Sequence, residues 1–266
     1  MKRIFISADI EGTCGIISWK ETEKGQAEHT AFCASMTQEV RAACEGATNG
    51  GAQSILVKDA HGQARNIDPN ALPENVCVFR GWGNGIYNMM EGLEDGFAGV
   101  FLTGYHSGAS MGGNPLAHTM NTGNVSVKIN DEICTEMMIS AYTASMVRVP
   151  LLLVTGDETL CSAVRRLSPN TITVPVSSGV GAGSIAMHPA HAVAAIREAA
   201  EQAMRLSSDN CIVPLPETFH IEIYYREHMR ARTCGYYPGA KQSGPHTVTF
   251  DCTDYLEALR FFHFCL

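Results

Sequence analysis

The residues of this chain best suited to chemistry lie in three short stretches. Asp9 and Glu11 sit in Ser7-Ala8-Asp9-Ile10-Glu11-Gly12, His61 in Asp59-Ala60-His61-Gly62, and His106 in Gly104-Tyr105-His106-Ser107-Gly108. Each follows an apolar run that reads as a strand. In an extended chain residues i and i+2 point to one side, so Asp9 and Glu11 can reach a common point. Two carboxylates brought together at a buried edge repel unless a cation lies between them. Taken singly, each stretch has an ordinary explanation: an exposed acidic loop or N-cap for Asp9 and Glu11, a surface turn for His61, a structural histidine for His106. Their coincidence carries more weight, because open α/β sheets bind ligands outside the carboxyl ends of their strands. Imidazole and carboxylate together are the donor set that suits Zn²⁺.

Two further residues are candidates. Glu136 opens a predicted helix just after the hairpin-like Ser126-Val127-Lys128-Ile129-Asn130-Asp131-Glu132-Ile133. Alone, it reads as an acid complementing the helix dipole. His118 lies in a 17-residue glycine-rich loop, Gly108–Asn124, and unstructured loops of that length are often functional. It reads equally as a general acid/base, a ligand or a surface residue. His29, His188, His191, His220, His228, His246 and His263 have no convergent acids and read as structural or surface groups. The sequence has no phosphate-binding G-x-x-x-x-G-K-[ST] loop, no dinucleotide fingerprint after its first strand, no G-x-S-x-G elbow and no H-E-x-x-H.

The elements that must position these residues follow from periodicity. Strands are predicted at 3–9, 54–58, 76–79, 98–103, 125–130 and 150–155, with helices at 27–48, where Phe32, Met36, Val40 and Ala43 form one stripe, at 134–147 and at 157–166. Asn49-Gly50-Gly51 ends the first helix. Alternating strands and helices predict an α/β domain with a largely parallel sheet flanked by helices in three layers. Beyond it, strands at 171–176, 218–225 and 246–250 and helices at 189–206 and 253–264 predict a smaller α+β lobe. The expected division is 1–165 for the metal-binding catalytic domain and 166–266 for the smaller domain.

Composition narrows the function classes. The chain has 266 residues and a formal net charge of −8, without a basic run. Such a surface is poorly suited to nucleic acid or to an anionic membrane. Charged residues make up 17%, against about 25% in typical soluble domains, which hints at surface buried between subunits. The ten cysteines contain no C-x-x-C pair, which argues against a zinc ribbon or a thioredoxin-like site. Asp9 and Glu11 interrupt the start before a signal-peptide h-region forms. No run approaches the ~18 apolar residues of a spanning helix. These features predict a cytoplasmic protein with reduced thiols.

Ser7-Ala8-Asp9-Ile10-Glu11-Gly12, Asp59-Ala60-His61, Gly104-Tyr105-His106, His118-Thr119-Met120 and Glu136, in that order and spacing, resemble the zinc D-aminopeptidase family, whose members include proteins described as dipeptide transport proteins. Met90-Glu91-Gly92-Leu93 and Val154-Thr155-Gly156-Asp157 extend the resemblance over nearly the whole chain. It implies a peptidase with two zinc ions per subunit, or Mn²⁺ or Co²⁺ in their place. Asp9 would bridge them, Glu11 and His61 would complete one site, His106 and Glu136 the other, and His118 would be catalytic. It also implies hydrolysis of the N-terminal amide of short peptides with D-Ala-like N-termini, by a metal-activated water, in a homo-decamer of stacked pentameric rings. One departure stands out. Basic residues are expected after the 171–176 strand, yet 176–189 contains no Lys or Arg. Other two-metal amidohydrolases or phosphoesterases, and a non-catalytic peptide-binding protein of a transport system, are the competing readings.

Overall fold

The structure is a computed structural model that describes residues 2–266, apart from the side chain of Ser208. In chain order it runs β1 (Arg3–Ala8), α1 (Trp19–Thr22), α2 (His29–Asn49), β2 (Ser54–Asp59), β3 (Val76–Phe79), β4 (Gly99–Tyr105), β5 (Asn124–Ile129), β6 (Glu132–Ile133), α3 (Glu136–Met146), β7 (Leu151–Asp157), α4 (Glu158–Leu167), β8 (Ile172–Val180), β9 (Gly183–Ala186), α5 (Pro189–Ala203), β10 (Phe219–Tyr225), α6 (His228–Cys234), β11 (Lys241–Gln242), β12 (Thr247–Cys252) and α7 (Tyr255–Cys265).

β1, β4 and β7 are apolar on both faces and almost wholly buried, the pattern of parallel strands covered by helices on both sides. They form the middle of a seven-stranded sheet ordered β3-β2-β1-β4-β7-β8-β9. Every neighbouring pair is parallel except β8 and β9, which close in an antiparallel hairpin. On one face α2 packs against α5, and Met36, Val40, Ala43 and Ala47 reach the core. The two helices meet so closely that a Cβ on Gly46 would lie 2.1 Å from the Arg197 carbonyl oxygen, so that crossing needs glycine.

The chain leaves β1 towards β2 on one side and later fills β4 on the other. The end of β1 is therefore a topological switch point, where open α/β sheets form their crevice. The second sheet is antiparallel, in the order β11-β12-β10-β5-β6. β10 alternates buried and exposed residues along its length, as a sheet with one wet face should. Phe219, Ile221 and Ile223 share a core with Tyr255, Leu259 and Phe262 of α7.

The sequence places the helices and the parallel strands correctly to within a few residues. The division between the sheets differs from the boundary expected at residue 165. β8, β9 and α5 join the large sheet and its helical layer, whereas β5 and β6 pair with β10 in the small one. Antiparallel partners so distant in sequence leave no local signature. Four short elements, α1, β9, α6 and β11, were also not expected. The stretch 176–189, where the resemblance implies basic residues that this chain lacks, runs from the end of β8 through β9 to the first residue of α5.

Candidate metal centre

Asp9 follows the last residue of β1, and its backbone N–H continues the ladder to Thr103 O. His61 lies just beyond β2 and His106 directly after β4. The tips of β1 and β4 pinch together because Gly104 adopts a φ of +66°. A Cβ there would lie 2.2 Å from Asp9 O. Glu136 is the first residue of α3, capped by Thr135, whose hydroxyl accepts from Met138 N–H. Tyr105 ties this helix to the sheet, with its hydroxyl 2.7 Å from Ser7 Oγ and 3.1 Å from Ser140 Oγ. The Gly108–Asn124 loop is irregular but pinned. Asn114 Nδ2 donates to Glu11 O, Thr119 Oγ1 to Cys134 O, and Met120 N–H to Glu136 Oε1.

The structure brings all six sequence candidates together. His61 Nδ1 lies 3.0 Å from Glu11 Oε2 and 3.4 Å from Asp9 Oδ1. His106 Nε2 lies 3.4 Å from Asp9 Oδ2 and 3.5 Å from Glu136 Oε2. His118 Nε2 is 3.6 Å from Glu136 Oε1 and 3.9 Å from Glu11 Oε1, and its ring stacks on His106 with centroids 4.4 Å apart. Three overlapping groups result, each spaced to share one ion: Asp9-Glu11-His61, Asp9-His106-Glu136 and Glu11-His106-His118.

Hydrogen bonds at the far side of each ring settle which nitrogen faces inward. His61 Nε2–H donates to Thr22 O, His106 Nδ1–H to Ser107 O, and His118 Nδ1–H to Leu116 O. A carbonyl only accepts, so the proton sits on the outer nitrogen and the inner one turns a lone pair towards carboxylates. Lone pairs facing lone pairs in a buried site require a cation or extra protons. Asp9 Oδ2, Glu11 Oε2 and His106 Nε2 are buried without a hydrogen-bond partner. Among the described residues, no Lys or Arg forms an ion pair with these acids.

Titration behaviour points the same way. Burial alone would push the Asp9 carboxyl up, but His106 and His61 together hold it well below the usual range. Burial alone would lower both imidazoles. The Glu11 and Asp9 carboxylates instead raise His61 well above its ordinary value, and Glu136 and Asp9 do the same for His106. The cluster takes up positive charge, and bound metal would displace those protons. Carboxylates and imidazoles with orphaned inner atoms fit a pair of zinc ions.

The centre opens into a cavity of about 680 Å³ lined by Trp19, His61, Trp82, Met89, His118 and Glu136 among others. His106 and residues 176–189 do not line it, so the segment lacking basic residues is not part of this chain's own cavity wall.

The sequence reading missed the groups that hold the ligands. Asp59 Oδ2 accepts from the N–H groups of Asn66 and Ile67, its Oδ1 from Asn66 Nδ2, and that amide also donates to His61 O. Asp157 accepts from Ser107 N–H and Oγ–H, and caps α4 through Leu160 N–H. α1 supplies both the Thr22 carbonyl and Trp19, whose ring meets His118 edge-on at 5.2 Å. The Ser18-x-x-Glu21 capping box was the legible signal for α1.

Residues 1–264 match the family described as D-aminopeptidase. The D-aminopeptidase of Bacillus subtilis (strain 168) is 28% identical over 260 residues, covering 96% of this chain and 93% of that protein. The solved structure of the Zn-dependent D-aminopeptidase DppA from Bacillus subtilis, described as a self-compartmentalizing protease, superposes with a TM-score of 0.89 at 27% identity, covering 98% of this chain and 95% of that one. With the fold, the strand-end histidines and acids, and this whole-length match in agreement, the chain belongs to the D-aminopeptidase family.

Proposed function

We propose that this chain is a zinc-dependent aminopeptidase that removes D-amino acids from the N-terminus of short peptides. The observation that carries the reading is the set of three imidazoles whose outer protons are committed to backbone carbonyls, so that their inner lone pairs face three buried carboxylates. Asp9 offers one oxygen to each side and would be shared by the two sites. Glu11 and His61 complete one site, and His106 and Glu136 the other. Zinc pairs of this kind polarise a carbonyl and bring the pKa of a bound water to about 7.

His118 Nε2 accepts a proton from the attacking water and delivers it to the leaving amine, while Leu116 O holds the ring in its orientation. Trp19 packs against the same ring and limits its movement. A phosphoester substrate would call for cations around the site, yet Lys24 is the single Lys or Arg along the cavity wall.

The chain further assembles as a homo-oligomer, a decamer of stacked pentameric rings, and works in the cytoplasm. The self-compartmentalizing relative supports the assembly, as do the 17% charged fraction and the exposed apolar side chains of Ile185, Met229, Tyr236 and Phe264. Among the described residues no helix is long and apolar enough to cross a membrane.

The test is to load purified protein with zinc, count the metal, and compare D-Ala- and L-Ala-p-nitroanilide. Two zinc ions per chain and faster cleavage of the D-substrate are expected. Cleavage of neither substrate by zinc-loaded protein would end the proposal.

A further inference from the structure

Lys58 is the penultimate residue of β2, three before His61, and it is completely buried. Among the described residues it forms no ion pair with a carboxylate. A buried ammonium is costly, and methionine would fill similar space without the charge. Its hydrogen bond and both of its cation–π contacts go to one segment. Its Nζ donates to Gly81 O and sits 4.4 Å from the centre of the Phe79 ring and 4.1 Å from that of Trp82. Both rings lie within cation–π range.

The same segment is tied from other directions. Glu91 accepts from Gly83 N–H and Gly85 N–H through its two oxygens, and Gly81 N–H donates to Ala64 O. Trp82 Nε1–H donates to the carbonyl of Gly62, the residue after His61. A Cβ on Gly83 would lie 2.4 Å from Glu91 Oε1, so glycine at 83 permits the clasp. A loop rich in glycine is thus held by two charged side chains, neither of which lines the cavity. The loop residue that does line it is Trp82. It and Trp19 are the chain's two tryptophans, and both face the metal cavity.

We propose that Trp82 is a specificity-determining wall for the side chain of the substrate's N-terminal residue, and that Lys58 and Glu91 are positioning residues that hold it there. The proposal rests on the aminopeptidase reading. The scissile carbonyl belongs to the N-terminal residue, and Trp82, hydrogen-bonded to the neighbour of the candidate ligand His61, lines the cavity into which that residue's side chain would project. An apolar wall of this kind favours small or flat side chains and rejects those that would overlap the indole.

Two measurements test it. Wild-type, Trp82→Phe and Trp82→Ala proteins are assayed on D-Ala-, D-Leu- and D-Phe-p-nitroanilide, with zinc content measured alongside. In Trp82→Ala the ratio of kcat/KM for the larger substrates over D-Ala should shift by about tenfold or more, with Trp82→Phe in between and zinc unchanged. A ratio within about twofold of wild type overturns the specificity role. A zinc-loaded wild type that cleaves none of the panel instead overturns the underlying aminopeptidase reading.

The second measurement needs neither metal nor substrate. A Trp19→Phe protein carries Trp82 as its sole tryptophan, and adding Lys58→Met should red-shift its emission and increase quenching by acrylamide. Glu91→Gln loosens the loop from the other side without touching the buried amine, and should act in the same direction if Lys58→Met does not fold. In the enzyme, these two changes should raise KM several-fold while kcat stays within about twofold. Unchanged emission and quenching in both variants overturns the positioning role.

Discussion

The two halves of the metal centre share Asp9 but are built differently. In the His106 half the histidine is sealed, although Glu136 reaches the cavity wall. The His106 side chain is 0% exposed, lies against His118, and anchors its outer nitrogen to the carbonyl of the next residue. The His61 half is 13% exposed and faces the cavity. Its outer nitrogen depends on Thr22 O, 39 residues away in the α1 segment. The brace also differs. Asp157 grips the His106 loop from the neighbouring strand, whereas Asp59 grips the His61 loop from its own strand with help from Asn66. The contrast assigns different duties to chemically similar ligand sets. An enclosed, locally anchored site would retain its ion, whereas an open one held by a distant carbonyl would exchange its ion and meet the substrate.

The sharpest way to break this comparison is to remove one histidine at a time. His61→Ala and His106→Ala should each lower kcat/KM by at least about 10³-fold. They should differ in metal content. His61→Ala retains one tightly held zinc through dialysis, whereas His106→Ala loses both. Equal zinc loss from the two variants would show that the halves are equivalent.

The braces give a smaller effect. Asp59→Asn and Asp157→Asn should each weaken zinc binding about 10–100-fold, the usual range for groups that orient metal ligands. In a competitive chelator titration, Asp59→Asn affects the weaker site and Asp157→Asn the tighter one. Both variants acting on one site would contradict the assignment.

The smallest expected effect lies behind the shared acids. Glu39 of α2 holds the 11–14 turn through Cys14 N–H, and burial raises its carboxyl to about 7, leaving Oε2 without a partner. A carboxyl raised in the folded state binds its proton more tightly there than in the unfolded chain. Its contribution therefore favours folding below about pH 4.5 and is lost as pH rises through about 7. Glu39→Gln keeps the acceptor for Cys14 and removes the ionisation. Thermal melts should show a Tm several °C higher than wild type at pH 8, with the difference shrinking towards pH 5. An equal gain at both pH values would mean that packing, not charge, sets the change.

Much of the centre was legible because its donors sit at ends of apolar strands, where side-chain type and position are both written in the chain. Asp9, Glu11, His61 and His106 are found this way. Glu136 was visible only as a helix start, because its approach depends on tertiary pairing. The supporting shell was less legible for a specific reason. Thr22, Ser107 and Leu116 act through backbone carbonyls, which every residue carries. Asp59 and Asp157 appear in the sequence as further strand-end acids, and nothing local distinguishes an acid that grips a loop from one that binds metal. The small sheet was misassigned for the complementary reason, since alternation identifies β10 as a strand but says nothing about its partner.

That partner gives the centre an order of assembly. β5 and β6 lead directly into α3 and Glu136, and they are held by β10, where His220 N–H donates to Asn130 Oδ1 across 90 residues. During synthesis, Asp9, His61 and His106 can reach their strand ends once the first parallel strands have formed, but Glu136 waits for the chain beyond Phe219 to emerge. Closing so long a loop is slow relative to local folding. A nascent chain is therefore expected to bring Asp9, Glu11 and His61 together before Glu136 joins them, and to complete its peptide-cleaving arrangement only near the end of its own translation.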